Sequence, residues 1–168
     1  MKIECEKTMP EGTFAIMTES GPDQISTDEL FENKTVVLVC VPGAYTPTCS
    51  VHHLPGYIES TEQFFSKGVD TIAFMAVNDI FVMNAWGNDQ GAGEKVMMLS
   101  DGNGEYVGKL GLEMDARDFG MGIRGQRFAI IIKNGVVKHI AVEEPGDFNI
   151  TKATSVLEAI QINLKIKN

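Results

Sequence analysis

The stretch TVVLVCVPGAYTPTC, residues 35–49, decides the fold of this chain. Its first seven residues, 35–41, are apolar or β-branched at odd and even positions alike, which is typical of a strand buried on both faces of a sheet. Thr46 and Pro47 suit the cap and the first position of a helix, because proline has no N–H for a helix start to leave unpaired. The stretch therefore predicts a central strand, a short loop and a helix that carries Cys49 in its first turn.

The residues that follow extend this into an α/β pattern. HHLPGYIESTEQFFSKG (52–68) has helical spacing, and we expect Pro55 to kink or break its first turns and Lys67-Gly68 to end it. VDTIAFMAV (69–77) is a second buried strand. The order strand, helix, strand predicts a right-handed crossover between two parallel strands.

The next segment predicts one more helix and one more strand. Asn78-Asp79 can cap the helix in IFVMNAWGN, and we expect Phe81, Ala85 and Trp86 to face the core. KVMMLSD (95–101) is a third strand, which GNG breaks.

Both ends of the chain add to the same sheet. TFAIMTE (13–19) predicts a strand of an early hairpin, and two β runs flank Asn134-Gly135, a strong hairpin signal. Residues 151–166 predict a terminal amphipathic helix. The predicted fold class is α/β, with a thioredoxin-like central mixed β-sheet flanked by helices and an N-terminal β-hairpin extension.

Length and charge exclude several classes of protein. The 168 residues suffice for a single domain, 1–168, and 14 Lys and Arg against 23 Asp and Glu give a net charge of −9. An acidic surface repels nucleic acids and anionic membranes, so neither is an expected partner. The N-terminal residues have no apolar stretch of a secretory signal, and three cysteines cannot form a disulfide framework. We therefore expect a cytoplasmic protein.

Cys49 is the candidate reactive group. A thiol in the first turn of a helix lies near free N–H groups and the positive end of the helix dipole, and both stabilise the thiolate, which is the nucleophilic form. A lone cysteine is more often a small buried apolar side chain. The Thr-Pro-x-Cys helix start favours the reactive interpretation here.

The segment VPGAYTPTCSVHHLPGYIE (41–59) closely resembles the active-site segment of the peroxiredoxins, and most of all their atypical type II, peroxiredoxin-five-like branch. The pattern of that branch is P-G-A-F-T-P-x-C-S-x-x-H-L-P. The resemblance continues through VNDIFVMNAWG (77–87), GQRFAIIIKNGVVKHIAVE (125–143) and the turn EEPGDF. It implies a thiol peroxidase that reduces hydrogen peroxide and small alkyl hydroperoxides, with Cys49 becoming a sulfenic acid.

The same resemblance assigns roles around the sulfur. Thr46 matches a hydroxyl that bonds the thiolate and the peroxide, and Pro42 matches a proline that shields the thiol from water. Arg127 matches an arginine that favours the thiolate and orients peroxide, a task that suits a planar cation with several donors. The backbone N–H groups of Gly43 and Cys49 are further candidate donors to the substrate.

The sequence also bears on how the sulfenic acid is reduced again. Relatives often carry a second, resolving cysteine at one of two places, which here read Phe-Met-Ala (74–76) and Thr-Lys-Ala-Thr (151–154). Cys40 is interpreted as packing and Cys5, near the N-terminus, is the remaining candidate resolver. We predict a one-cysteine mechanism with no bound cofactor, reduced by glutathione with glutaredoxin or by thioredoxin. The resemblance also implies a homodimer that packs near the active-site loops.

Other functions stay open on the residues alone. A redox-sensing binding protein would oxidise Cys49 once and be read by a partner, without turnover. A cysteine hydrolase would pair Cys49 with His53, four residues on, although a structural hydrogen bond of that ring is the favoured interpretation. The chain has no C-x-x-C of a disulfide oxidoreductase and no metal-ligand spacing.

Overall fold

A computed structural model of the chain describes residues 1–165, so Ile166 of the predicted terminal helix lies outside the described residues. The strands are β1 Thr13–Thr18, β2 Gly21–Ser26, β3 Thr35–Cys40, β4 Thr71–Ala76, β5 Met97–Ser100, β6 Glu113–Asp115, β7 Ile123–Gly125, β8 Phe128–Lys133 and β9 Val136–Val142. The helices are α1 Thr27–Phe31, α2 Leu54–Glu59, α3 Thr61–Ser66, α4 Ile80–Gln90, α5 Glu105–Leu110 and α6 Ala153–Lys165, with a π-helical turn at Cys49–His53 and a 3₁₀ turn at Arg117–Phe119. None of these helices is long and apolar enough to cross a membrane.

Seven strands form one mixed sheet in the order β2-β1-β5-β4-β3-β8-β9. Strands β3, β4 and β5 are parallel, and the two strands next to them, β1 and β8, run antiparallel to them. All six residues of β3 are buried, as its unbroken apolar sequence predicts. The N-terminal hairpin and the Asn134-Gly135 hairpin both form, with positive φ of 48° and 78° at these two residues, as a type I′ turn requires. The predicted α/β class and mixed sheet are thus confirmed.

Successive residues of β3 point to opposite faces of the sheet and enter two separate cores. Val37 and Val39 pack in one core together with Cys49. Val36, Leu38 and Cys40 pack in the other core. Cys40 and Cys49 therefore lie in the cores on opposite faces of the sheet, and both are buried.

The helix that carries Cys49 is irregular for a definable reason. Helical backbone begins at Pro47, as predicted, but five residues from Cys49 form a π-helical turn that the Leu54 N–H closes onto the Cys49 carbonyl. Pro55 lies immediately after this turn, and proline can neither donate to the ladder nor tolerate the carbonyl four residues earlier in regular α geometry. The predicted break is confirmed, and its form is a widened turn. Gly68, with a φ of 95°, follows the end of α3.

The predicted core face of α4 is wrong for two of its three residues. The Asp79 side chain caps α4 as predicted, accepting from the Val82 N–H at 2.9 Å, yet Phe81 is 65% exposed and Ala85 is exposed. The buried face of α4 instead consists of Ile80, Met83, Trp86 and Gly87. The cap fixes only where the helix starts. Packing against the sheet decides which side chains are buried, and these are Ile80 and the residues three, six and seven positions after it.

Candidate active site

Cys49 lies beyond the carboxyl end of β3, at the start of the helix that follows, and its side chain is 0% exposed. The Thr46 carbonyl accepts the first helical bond, from the Ser50 N–H at 3.0 Å, so Thr46 occupies the cap position. Its hydroxyl does not cap the helix: it donates to the Gly43 carbonyl at 2.7 Å. Thr46 therefore stabilises the loop by donating its hydroxyl hydrogen, and the lone pairs of its oxygen can still accept a hydrogen bond.

Arg127 contacts the sulfur directly. Its Nη2 donates to Sγ of Cys49 at 3.1 Å, within hydrogen-bond distance for sulfur. The register of the sheet explains this contact, because Phe128 pairs with Cys40 and thus places Arg127 beside the end of β3. A permanent cation at a buried sulfur favours its anionic form.

His53 holds Arg127 in place. The Nη1 of Arg127 donates to Nδ1 of His53 at 2.7 Å, and Nε2 of His53 lies 3.1 Å from the Thr151 carbonyl. Because arginine only donates, Nδ1 must be the acceptor and Nε2 must carry the proton. Burial and the neighbouring Arg127 lower the pKa of His53 to about 3, so the ring stays neutral near physiological pH. Both ring nitrogens are engaged elsewhere, so a Cys49–His53 hydrolase pair does not form.

Glu143 anchors the far end of this chain of hydrogen bonds. Its buried carboxylate accepts from the backbone N–H groups of Asn149, Ile150 and Thr151 and from the Thr151 hydroxyl, at 2.6 to 3.2 Å. Burial raises the pKa of Glu143, but these donors outweigh burial and the net direction is a lowered pKa. The carboxylate thereby fixes the carbonyl to which His53 donates.

Phe148 covers the arginine from the same loop. The guanidinium carbon of Arg127 lies 5.8 Å from the centre of the Phe148 ring, within cation–π range. The same ring meets the His53 ring edge to face, with 4.9 Å between centroids. The turn EEPGDF, which the sequence offered only as part of a resemblance, therefore supplies both an anchor and a cover for the site.

Helix α4 and its cap hold the loop before Cys49 from the other side. Nε1 of Trp86 donates to the Ser50 hydroxyl at 3.0 Å, and the Tyr45 hydroxyl donates to Asp89 at 2.6 Å. The Ala44 N–H donates to the Asn78 side chain at 2.9 Å. Tyr45 has a φ of 64°, unusual for a residue with a side chain, so these bonds maintain a strained loop.

Arg124 is a functional neighbour that the sequence interpretation missed. Its Nη1 donates to the Pro42 carbonyl at 3.1 Å and its Nε to the Met121 carbonyl at 2.8 Å. A Cβ added at Gly43 would lie 2.7 Å from Nη1 of Arg124, so the glycine permits this close approach. The sequence signal that could have pointed to Arg124 is the presence of three arginines within one short segment. Two of them, Arg124 and Arg127, contact the site.

A groove of about 700 Å³ is lined by Thr48, the residue before Cys49, and by Arg127, which contacts the sulfur, and we call it the active-site groove. Pro42, Thr48 and Arg127 line it near Cys49. Its farther walls are formed by Met114, Phe119 and the loop 143–147. The shielding role of Pro42 stays a prediction. The predicted donor roles of the Gly43 and Cys49 N–H groups stay predictions.

Cys5 belongs to the opposite end of β3 from Cys49. The segment of Cys5 is tied to the sheet by the N–H of Glu6, which donates to the Val137 carbonyl at 2.8 Å. Val137 lies near the Thr35 end of β3, whereas Cys49 follows the Cys40 end. Five residues of strand separate these ends by about 17 Å, against the roughly 7 Å that a disulfide allows between Cα atoms. Within residues 1–165, no group of His, Cys, Asp and Glu is placed to hold a metal ion.

Comparison with known proteins places this geometry in a family context. The family model described as Redoxin matches residues 5–157. Peroxiredoxin-2E, chloroplastic, of Arabidopsis thaliana is 44% identical, over 90% of this chain and 67% of the relative. The structure of reduced Prx3 in complex with H2O2 from Vibrio vulnificus superposes with a TM-score of 0.91 at 48% identity, covering 94% of this chain and 99% of that one. The antioxidant protein, a 1-Cys peroxiredoxin, of Plasmodium falciparum gives 0.89 at 29% identity, covering 96% and 100%.

The neutral state of His53 makes the fold sensitive to mild acid. In the unfolded chain the ring titrates near its ordinary pKa of 6.5, whereas the folded ring has a pKa of about 3. As the pH falls below 6.5, the His53 ring binds a proton in the unfolded state but not in the folded state. The free energy of unfolding therefore falls by up to about 1.4 kcal/mol per pH unit. This contribution is measured by denaturant unfolding of the wild type and of His53→Gln between pH 6.5 and about 5, which lies above the range in which Glu143 titrates. We expect the free energy of unfolding to fall less steeply with decreasing pH in the variant. The same steepness in both proteins would contradict a neutral His53 ring.

Proposed function

Since the chain belongs to the redoxin family and is a peroxiredoxin, a thiol peroxidase of the thioredoxin-fold superfamily, we propose that Cys49 is its peroxidatic cysteine. The observation that carries the proposal is the 3.1 Å contact from Arg127 to the Cys49 sulfur, with the arginine itself fixed by His53. A positioned cation beside a buried nucleophilic sulfur is the arrangement that thiolate chemistry needs.

The proposed step transfers one oxygen to sulfur. The Cys49 thiolate attacks the terminal oxygen of the hydroperoxide, an S–O bond forms and the O–O bond breaks. Sulfur is oxidised to a sulfenic acid, and the departing oxygen takes the electron pair and then a proton, giving water or an alcohol. Negative charge moves from sulfur to the departing oxygen along this path. The fixed guanidinium of Arg127 can accompany that charge without reorganising.

Thr46, Pro42 and Gly43 complete the proposed substrate site. Because the Thr46 hydroxyl donates to the Gly43 carbonyl, its oxygen is available to accept a hydrogen bond from the peroxide O–H. Pro42, which lines the active-site groove, limits access of water to the sulfur. The Gly43 and Cys49 N–H groups are proposed as further donors to the peroxide oxygens.

The proposed cycle uses one cysteine of the chain. Cys40 packs in the core on the other face of the sheet, and Cys5 belongs to the opposite end of β3. The likeness to a 1-Cys peroxiredoxin of Plasmodium falciparum supports the same reading. The sulfenic acid is then reduced by an external thiol, glutathione with glutaredoxin or thioredoxin, and no bound cofactor takes part.

A homodimer packed near the active-site loops is the proposed assembly. Tyr45 and Phe81, which are 50% and 65% exposed, lie at the end of the sheet where Cys49 lies. Large apolar side chains exposed together are typical of interaction surfaces.

Intact-mass analysis after one equivalent of hydrogen peroxide tests the cycle. We expect the wild type, Cys5→Ser and Cys40→Ser each to gain one oxygen atom, and Cys49→Ser to consume no peroxide. A loss of two hydrogens would reveal an internal disulfide and contradict the one-cysteine mechanism. Normal turnover by Cys49→Ser would overturn the assignment of the peroxidatic residue, and stoichiometric oxidation without turnover by glutaredoxin or thioredoxin would favour a redox sensor instead.

Removing the guanidinium should slow the first step without unfolding the protein. For Arg127→Ala we expect the rate of Cys49 oxidation to fall by about a hundredfold or more, as when one preorganised donor to a developing charge is lost. Arg127→Lys keeps a charge but not the two-pronged geometry that reaches sulfur and His53 together. Arg117→Ala is the matched control, because that guanidinium pairs with Asp115 at the surface. An unchanged rate in Arg127→Ala, measured by rapid mixing, would remove the residue from the mechanism.

Thr46→Val tests whether the Thr46 oxygen accepts a hydrogen bond from the peroxide O–H. The variant keeps the shape of the side chain and loses the oxygen, and we expect oxidation of Cys49 to slow by about a hundredfold. Thr46→Ser keeps the hydroxyl and should stay within a few fold of the wild type. Equal rates for the valine and serine variants would contradict a role for this hydroxyl.

A further inference from the structure

The active-site groove carries a charge pattern that reduction of hydrogen peroxide does not require. Glu113, Glu144 and Asp147 are exposed acidic residues that line it, while Arg127 lies at the end near the sulfur. The carboxylate of Glu143 also borders the groove, but it is engaged by four donors of the loop that follows. The three exposed residues, which we call the acidic rim, are therefore free to act on whatever enters.

The size and walls of the groove point to an organic occupant. Its volume of about 700 Å³ is far greater than a hydrogen peroxide molecule needs. Met114, Phe119 and Pro145 offer apolar surface to it, and Phe119 is 82% exposed. Apolar walls with a few polar groups at one end are typical of sites for small organic molecules.

We propose that the acidic rim makes the enzyme prefer uncharged organic hydroperoxides over those that carry a carboxylate. This proposal rests on the proposed function of Cys49 and distinguishes among its organic substrates by their charge. The chemical step is the same: sulfur takes the terminal oxygen, the O–O bond breaks, and the organic part leaves as an alkoxide that takes a proton to become the alcohol.

The balance of charge in the site gives the preference its sign. The cation of Arg127 is compensated by the thiolate that it contacts, and His53 beside it is neutral. Arg124 keeps its positive charge, because the carbonyls of Pro42 and Met121 to which it donates are neutral. The three carboxylates of the acidic rim outnumber this one cation, so the groove is negative overall, and like charges slow the encounter of an anionic substrate with such a cleft.

A matched pair of substrates tests the proposal. Cumene hydroperoxide is uncharged, and its ring para-carboxylate has the same reacting group with one negative charge. The rate of each compound with Cys49 is divided by its rate with free dithiothreitol, which removes any difference in intrinsic reactivity. At low ionic strength we expect this normalised rate to be about tenfold lower for the carboxylate, because the charges of the rim act within about one Debye length. Added salt should narrow this difference and leave the rate with hydrogen peroxide unchanged.

Charge-neutral variants locate the effect. Glu113→Gln, Glu144→Gln and Asp147→Asn combined should remove most of the discrimination, measured as the ratio of the rates with the two cumene compounds. The control combines Glu62→Gln, Glu94→Gln and Asp23→Asn, which removes the same total charge at exposed positions outside the groove lining and should retain the discrimination.

The outcomes separate the two levels of inference. The charge preference would be overturned by equal normalised rates for the two cumene compounds with the wild type. It would also be overturned by the same ratio of these rates in the rim and control variants. Fast oxidation by hydrogen peroxide would still leave the function of Cys49 intact. Failure of hydrogen peroxide to oxidise Cys49 would overturn the proposed function itself.

Discussion

The hydrogen bond from Arg127 to the Cys49 sulfur is the contact on which the arrangement of the site depends. A fully buried thiolate costs free energy unless a positive group and donors replace the lost water. The guanidinium is such a group, and it is itself held by His53, whose other nitrogen donates to a carbonyl that Glu143 fixes. A continuous chain of hydrogen bonds thus runs from a buried carboxylate on one loop to the reactive sulfur.

The fold delivers these groups from three separate elements. Strand β3 ends at the loop that leads to Cys49, β8 begins next to Arg127, and the loop after β9 carries Glu143 and Phe148. Because β3 and β9 both pair with β8, these three groups meet at the same end of three neighbouring strands. The π-helical turn ahead of Pro55 places His53 in the same layer, so the irregularity of that helix serves the position of its side chains.

Local sequence signals predicted the elements well and their mutual contacts poorly. The unbroken apolar run of β3, the Asn134-Gly135 turn and the Asp79 cap each act through a few neighbouring residues, and all three form as predicted. The exposed face of α4 was misjudged because its rotation depends on packing against the sheet. Arg127 was singled out only by family resemblance, and the bond between Arg124 and the loop before Cys49 joins residues 82 apart, which no local pattern reveals.

The account depends on one contact, between the Arg127 guanidinium and the Cys49 sulfur. Its most direct test is the nitrogen-15 NMR signal of the Arg127 guanidinium, assigned by its loss in Arg127→Lys and compared between the wild type and Cys49→Ala. The account predicts that this signal moves when the sulfur is removed, because the guanidinium loses the atom to which it donates. An Arg127 signal that is the same in both proteins would contradict the account.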